Sequence, residues 1–213
     1  MSADALTLYV SSSWDSPWSF HAMVAIEEKQ LPYKLEVART PIAPELAAVL
    51  TERALSPRVP VLVHGDHWIA ESLAISEYLA ERFPHPDHPR LFPADLAERA
   101  RARQVMSWVR TTMRTLRDDR PTTNVFGRAK VVPLSPKGKA DADELLRVAS
   151  ALVAPGKTQM FGNWSIADAD LALFLMRLIG ADDPLPQHLV DYAVAQWDRR
   201  SVRRFLAHIP TSA

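Results

Sequence analysis

The hydrophobic pattern of the N-terminal part alternates between a period of two and a helical period. Ala5 to Val10 is a short apolar run that predicts a strand; a serine-rich loop follows, and Pro17 to Lys29 predicts a helix. Tyr33-Lys-Leu-Glu-Val37 alternates cleanly, as a half-buried strand does. A weaker helical pattern covers Pro44 to Arg53. Val61–Val63 and Trp68–Ala70 flank a Gly65-Asp66 turn, which signals a hairpin. Ser72 to Arg82 then carries Leu73, Ile75, Tyr78 and Leu79 at helical spacing. The order is strand–helix–strand, helix, strand–strand–helix, which is mixed α/β with helices on both sides of the strands.

Beyond Arg82 the pattern is broken by Pro84, Pro86, Pro89 and Pro93, a density that excludes regular helix and central strand. This stretch reads as a linker, giving a division into 1–84, a linker at 85–93, and 94–213. After it the apolar period is helical throughout, so the expected class is α/β plus all-α. Met106, Val109, Met113 and Leu116 keep spacings of three and four and predict one long helix over 94–119. Ser135-Pro136 opens another, with serine as N-cap and proline at the first helical position. Ser165-Ile-Ala-Asp168 has the form of a capping box, in which the serine oxygen takes the Asp168 amide and the carboxylate returns to Ser165. Further helices are expected over Gln187–Arg199 and Ser201–His208.

Composition narrows the chemistry. In 213 residues, 47% hydrophobic and 23% charged describe a folded globular chain, and 25 basic residues against 25 acidic ones give no overall pull toward nucleic acid. Cysteine is absent, which removes disulfides, thiolate zinc sites, CxxC redox chemistry and a cysteine nucleophile together. Six glycines against seventeen prolines leave no GxGxxG, P-loop or GxSxG. The first basic residue is Lys29, so no charged signal-peptide start exists, and the longest apolar run, Leu171–Met176, is far short of the ~20 residues that span a bilayer. A soluble, cytoplasmic protein is expected, with no membrane partner.

His64-Gly-Asp-His67 and His85-Pro-Asp-His88 lie in a turn and in the linker, without helical spacing or thiolate partners, and read as surface histidines rather than a metal site. Residues 98–128 hold eight arginines and three acids. Arg103, Arg110, Arg114 and Arg117 recur at 7, 4 and 3 and read as a solvated helix face. A face turned toward a cleft that attracts anions is the other reading, and no interleaved aromatics suggest single-stranded nucleic acid. Met106, Trp108, Val109 and Met113 read as core or dimer contacts.

Three features remain that can carry chemistry. Val59-Pro60 opens a strand, where a proline is tolerated. Only about 5–6% of X–Pro bonds in folded proteins are cis, and a cis bond here would turn the Val59 N–H and C=O outward to pair with an extended peptide. Glu71-Ser72 sits between the second hairpin strand and a helix. Ser72 is a natural N-cap, while a helix start also attracts a carboxylate and Glu71 offers an acceptor for an ammonium. Together these suit an α-amino-acid end group. Ser16 precedes Pro17 at the start of the first helix, as an N-cap whose hydroxyl can still donate outward, and a hydrogen bond given to a thiol favours its thiolate.

In this order, Ser16-Pro-Trp-Ser-Phe-His-Ala-Met-Val-Ala-Ile26, Arg58-Val-Pro-Val-Leu-Val63, Glu71-Ser-Leu-Ala-Ile-Ser-Glu-Tyr-Leu79 and Ser165-Ile-Ala-Asp-Ala-Asp-Leu-Ala-Leu173 resemble the glutathione transferase superfamily. Arg99–Gln104, Asp119–Thr122 and Leu189–Ala193 are similar in particular to the bacterial YfcF-like glutathione transferases. The resemblance implies a thioredoxin-like N-terminal domain, an all-helical C-terminal domain shaping an electrophile site, and a homodimer. It implies glutathione as cosubstrate and no metal. Val59 would bond the glutathione main chain beside a cis Pro60, Glu71 and Ser72 would hold the γ-glutamyl end, and Ser16 would stabilise the thiolate.

Two departures stand out. The segment Leu55-Ser-Pro-Arg-Val59 lacks a glycine often found there, and the Ser11–Asp15 loop is longer than in many members, which makes Ser11, Ser12 and Ser13 rivals to Ser16; Tyr9 is a further rival, since some classes of the family use a tyrosine after the first strand. The activity implied is conjugation of a small hydrophobic electrophile or reduction of an organic hydroperoxide. A non-catalytic regulatory or chaperone-like member of the fold, or a glutathione-dependent disulfide reductase, are the alternatives.

Overall fold

The structure is a computed structural model, and it describes residues 5–127 and 130–209. The chain divides into two compact units, Met1–Leu91 and Phe92–Ala213.

In the first unit the elements are β1 (Leu6–Ser11), α1 (Pro17–Glu28), β2 (Tyr33–Ala38), α2 (Pro44–Arg53), β3 (Val61–His64), β4 (His67–Ala70) and α3 (Ser72–Arg82). The sheet order is β2-β1-β3-β4. β1 runs parallel to β2, as a strand–helix–strand crossover requires, and antiparallel to β3, which the Gly65 turn (φ 58) joins to β4. This is the thioredoxin-like arrangement. Leu6, Leu8 and Val10 of β1 are buried on one face. Tyr9 points to the other, where it joins Val61, Val63 and Trp68 under Leu46 and Leu50 of α2. α1 is buried over every residue from Ser19 to Ile26, which is why its sequence shows no polar face. The Lys29 ammonium, on a residue only 1% exposed, donates to the Phe83 carbonyl and so ties the end of α1 to the end of α3.

The second unit is helical: α4 (Leu96–Thr111), α5 (Arg114–Asp119), α6 (Thr123–Phe126), α7 (Pro136–Leu152), α8 (Ile166–Ile179), α9 (Gln187–Trp197) and α10 (Arg200–Leu206). α8 is its axis, buried from Ile166 to Leu175 with Asp168 and Asp170 among an otherwise apolar run. Val105, Val109, Leu145, Leu171, Phe174, Leu178 and Tyr192 form the core around it, with Met113 buried and Trp108 packed against the cluster.

Asp168 pins the start of α8. Its two oxygens accept from the Ser165 N–H (2.8 Å), the Ser165 hydroxyl (3.2 Å), the Met160 N–H (2.8 Å) and the Tyr192 hydroxyl (2.9 Å). Burial pushes this carboxyl above the usual range, and the four donors pull it back.

Two expectations need correction here. The single helix over 94–119 is broken at Thr112-Met113, where Met113 has φ −85 and ψ 38. The Thr111 and Thr112 hydroxyls bond back to the Ser107 and Trp108 carbonyls, and Asp141 of α7 takes the Leu116 amide at the start of α5. The arginine stripe is not a solvated face either. Arg103 and Arg114 are exposed, but Arg110 turns inward to Asp170 at 2.7 Å, with side-chain exposures of 12% and 2%. Arg117 is half-buried, the break having turned α5 out of register with α4. Arg128 lies outside the described residues.

Among the described residues no helix is long and apolar enough to cross a membrane.

Candidate functional site

The antiparallel pairing of β3 with β4 places Val61 opposite Ala70. Extending that register by one and two residues sets Pro60 beside Glu71 and Val59 beside Ser72. The strand ends thereby bring together four positions that lie a dozen residues apart in the chain. The Val59–Pro60 bond is cis, and no residue of the protein hydrogen-bonds the Val59 N–H or C=O among the described residues. A free peptide edge is what an added strand pairs with.

Glu71 carries φ 64 and ψ 114, outside the small left-handed region where a non-glycine residue is tolerated. Such a conformation costs on the order of 1–3 kcal/mol and persists only where the surroundings hold it. Here Glu71 is the N-cap of α3, and its carbonyl accepts from the Ile75 N–H at 2.9 Å. This corrects the expectation for Ser72. It is not the cap but the first helical residue, buried at 3% exposure, and α3 has no side-chain cap at all. A helix start carries positive potential that attracts an anion.

Upstream, the Ser56 amide reaches the Ala54 carbonyl at 2.8 Å around Leu55 (φ 69), and the Arg58 amide reaches the Ser56 carbonyl at 2.8 Å. The position where a glycine was missed is thus a tight turn centred on a leucine that is 90% exposed. That turn directs Arg58 and Val59 to the edge of the site.

These elements enclose a cavity of about 110 Å³, lined by Val59, Pro60, Glu71 and Ser72 together with Trp18, Ser56, Arg58 and Ala70. Pockets for whole drug-sized ligands run to roughly 300 Å³ and more, so this one fits an end group. Glu71 and Arg58 are both exposed at its rim, and among the described residues neither has an oppositely charged partner. The cavity therefore offers one charge of each sign, a helix start and a free peptide edge. Trp18, Ser56 and Arg58 were missed in the sequence. Arg58, a cation immediately before the cis-proline dipeptide, was the signal that could have found them.

Ser16 is not among the lining residues; Trp18, two positions on, is. Ser16 caps α1 by accepting from the Ser19 N–H at 3.2 Å, and no acceptor among the described residues takes its own proton. Its rivals are placed otherwise. Ser11 and Ser13 bond each other at 2.9 Å, Ser11 also reaches Thr40 at 2.9 Å, and Ser13 donates to Asp15. Ser12 accepts from the Thr40 amide at 3.1 Å in an exposed turn with no helix behind it. Tyr9 stacks on Trp68, centroids 5.9 Å apart, within the α2 cluster.

The histidines also need a correction. His67 and His85 are exposed and His88 is half-buried, but His64 is buried at 6%, its Nδ1 2.6 Å from the Tyr78 hydroxyl. Among the described residues no group of three or more histidine or acidic side chains could hold a metal ion.

Comparison with known proteins places these features in a family. Residues 15–82 match the family model for the glutathione S-transferase N-terminal domain, and residues 95–210 the model for the C-terminal domain. Glutathione S-transferase T1 of Arabidopsis thaliana is 32% identical over 161 residues, 71% of this chain and 65% of that protein. Glutathione S-transferase U13 of the same plant is 34% identical over 97 residues, 46% of this chain and 42% of that protein. The chain thus spans less than two thirds of these relatives' length. Among solved structures, a glutathione transferase homologue from Burkholderia gl BGR1 with bound glutathione superposes with a TM-score of 0.79 at 32% identity, covering 96% of this chain and 97% of that one. A glutathione S-transferase from Rhodospirillum rubrum gives 0.71 at 25% identity, covering 98% and 93%.

Proposed function

The chain belongs to the glutathione S-transferase family, and on that premise we propose that it binds glutathione at the Val59–Ser72 cavity and presents the sulfur as a thiolate. The acceptor would be a small hydrophobic electrophile or the O–O bond of an organic hydroperoxide. The observation that carries this reading is the meeting of a free peptide edge, an uncapped helix start and two unpaired charges of opposite sign around one cavity.

Each group has a task matched to its chemistry. The Val59 N–H and C=O pair with the main chain of the cysteinyl residue. The α-carboxylate of the γ-glutamyl end meets the Ser72 hydroxyl and the opening amides of α3, and Glu71 takes the ammonium. Arg58 suits the carboxylate at the other end of the tripeptide.

The sulfur is ionised by a donated hydrogen bond from Ser16 at the start of α1, with no enzyme nucleophile. A thiol has a pKa of ~8.5, and lowering it by ~2 units takes ~2.7 kcal/mol of preferential thiolate stabilisation. One hydrogen bond to a charged group contributes ~1.5–3 kcal/mol and a helix terminus ~0.3–1 kcal/mol, so the two suffice without a metal. The thiolate then attacks the electrophilic carbon and expels its leaving group. The same reading carries a cytoplasmic homodimer.

Calorimetric titration of glutathione, followed by conjugation of a chloronitrobenzene at neutral pH, tests the proposal. Binding is expected in the wild type and should be weakened by about tenfold or more in Glu71→Gln and Ser72→Ala, about 1.4 kcal/mol each. Glutathione at 100 times its Kd should also stabilise the fold by ~2.7 kcal/mol. A wild-type chain that neither binds glutathione nor is stabilised by it refutes the proposal. Binding without turnover would instead favour a non-catalytic member of the fold.

A further inference from the structure

Leu55 is the most exposed large apolar side chain among the described residues, at 90%. A lone exposed leucine is ordinary, but this one is held at a φ of 69, where a bulky side chain is an outlier. The Ser56 amide closes the turn on the Ala54 carbonyl at 2.8 Å, and Ala54 is buried with Leu50 and Val61 in one cluster. The turn thus presents an apolar knob on a packed base, so little conformational freedom is lost when the knob is covered.

In the helical unit, α4 packs on α8 and α7 on α5, and between α4 and α7 lies a cavity of about 190 Å³. Arg101, Gln104, Val105 and Trp108 share one face of α4 there and meet Val148 and Leu152 of α7. Val105 is buried, Trp108, Val148 and Leu152 are half-buried, and Arg101 and Gln104 are exposed. The polar pair therefore marks the mouth of an apolar hole. A cavity of about 150 Å³ accommodates a benzene ring, so this one has room for a leucine side chain.

Charge matches knob to hole. Arg101 donates to Gln104 at 2.8 Å and has no carboxylate partner among the described residues. Glu52, exposed near the end of α2 and three residues before Leu55, has no cationic partner among them. The cations beside the knob are engaged elsewhere: Arg53 stands over the Trp68 ring at 5.8 Å, and Arg58 lines the Val59–Ser72 cavity.

We propose that Leu55 of one copy of this chain enters the hole between α4 and α7 of a second copy, with Glu52 meeting Arg101 at the rim. Knob and hole belong to the same chain, so a two-fold axis uses each twice and closes the assembly at a dimer. This contact deepens the homodimer proposed above, on which it rests for the pairing of copies but not for any binding of glutathione.

Sedimentation equilibrium of the full chain over a range of concentrations is the test. The wild type should dimerise. Leu55→Gly removes the knob and suits the positive φ, so the fold should hold while the dimer Kd rises by about a hundredfold or more, ~2.8 kcal/mol for two leucines uncovered. Val194→Ser, on the exposed side of α9, should leave the Kd as it is. Glu52→Arg and Arg101→Glu should each raise it by about tenfold, and the two together should restore it. A monomeric wild type, a dimer indifferent to Leu55→Gly, or a double reversal no tighter than the single ones overturns the proposal. A monomer that binds glutathione would overturn this contact alone, whereas a dimer anchored in this way that binds no glutathione would overturn the transferase reading alone.

Discussion

Replacing Asp168 by alanine tests the packing argument most directly. The residue is fully buried, and among the described residues its carboxylate is the side-chain acceptor for the Ser165 amide, which is buried as well. The substitution removes acceptors from two main-chain amides and two hydroxyls. A buried donor left without a partner costs ~1–3 kcal/mol. The Ser165 amide should bear that in full, and the Met160 amide less, being only half-buried. Tyr192 keeps a longer bond to the Asp168 main-chain carbonyl at 3.3 Å. Against this sum of about 3–5 kcal/mol stands the relief of burying a carboxylate, so the net loss should be about 2–4 kcal/mol.

For a fold worth ~5–15 kcal/mol that is a large fraction. Equilibrium urea unfolding measures it, with Trp108, Trp164 and Trp197 reporting on the helical unit. Asp168→Asn keeps one acceptor but turns an NH2 toward a donor, and should lose about 1–3 kcal/mol. An alanine variant within ~1 kcal/mol of the wild type, or an asparagine variant indistinguishable from it, would refute the reasoning.

Ser16→Ala should leave glutathione affinity nearly unchanged and cut turnover at neutral pH by about tenfold or more, ~1.4 kcal/mol, with the rate recovering as pH rises toward the free thiol's pKa; wild-type rates in this variant would reassign the role to Ser12 or to the helix start alone. Arg110→Met removes the guanidinium facing buried Asp170 and should cost ~3–5 kcal/mol, whereas adding Asp170→Leu should restore most of it; an additive double mutant would show that the pair is not coupled. Lys29 has its pKa lowered by burial and then by Arg90. A lowered lysine binds its proton less tightly folded than unfolded, so it gains stability as pH rises from its folded value toward 10.5, the ordinary value. The wild type should therefore gain stability relative to Lys29→Met across that window in paired urea titrations, and a difference that stays flat or shrinks would contradict the burial.

Elements whose signals are local were legible in the sequence. α2 and α3 run over the expected residues, and α7 begins at Ser135-Pro136, because a proline at the first helical turn and an apolar period act within a few residues. The β3–β4 hairpin follows from Gly65 and alternation. Val59, Pro60, Glu71 and Ser72 were also legible as a set, since one antiparallel register suffices to bring them together.

What the tertiary structure alone decided depends on partners distant in the chain. The break between α4 and α5 needs Asp141, 25 residues beyond the amide it captures. The inward turn of Arg110 and the burial of Arg120 need Asp170 and Asp183, 60 and 63 residues away. His64 is buried because β3 packs under Tyr78 of α3, and Glu71 takes the cap from Ser72 because the strand end holds it at a positive φ. A periodicity records which face of a segment is apolar. It carries no record of which charge will be waiting on the neighbour, and that pairing decides whether an arginine stripe faces water or the core.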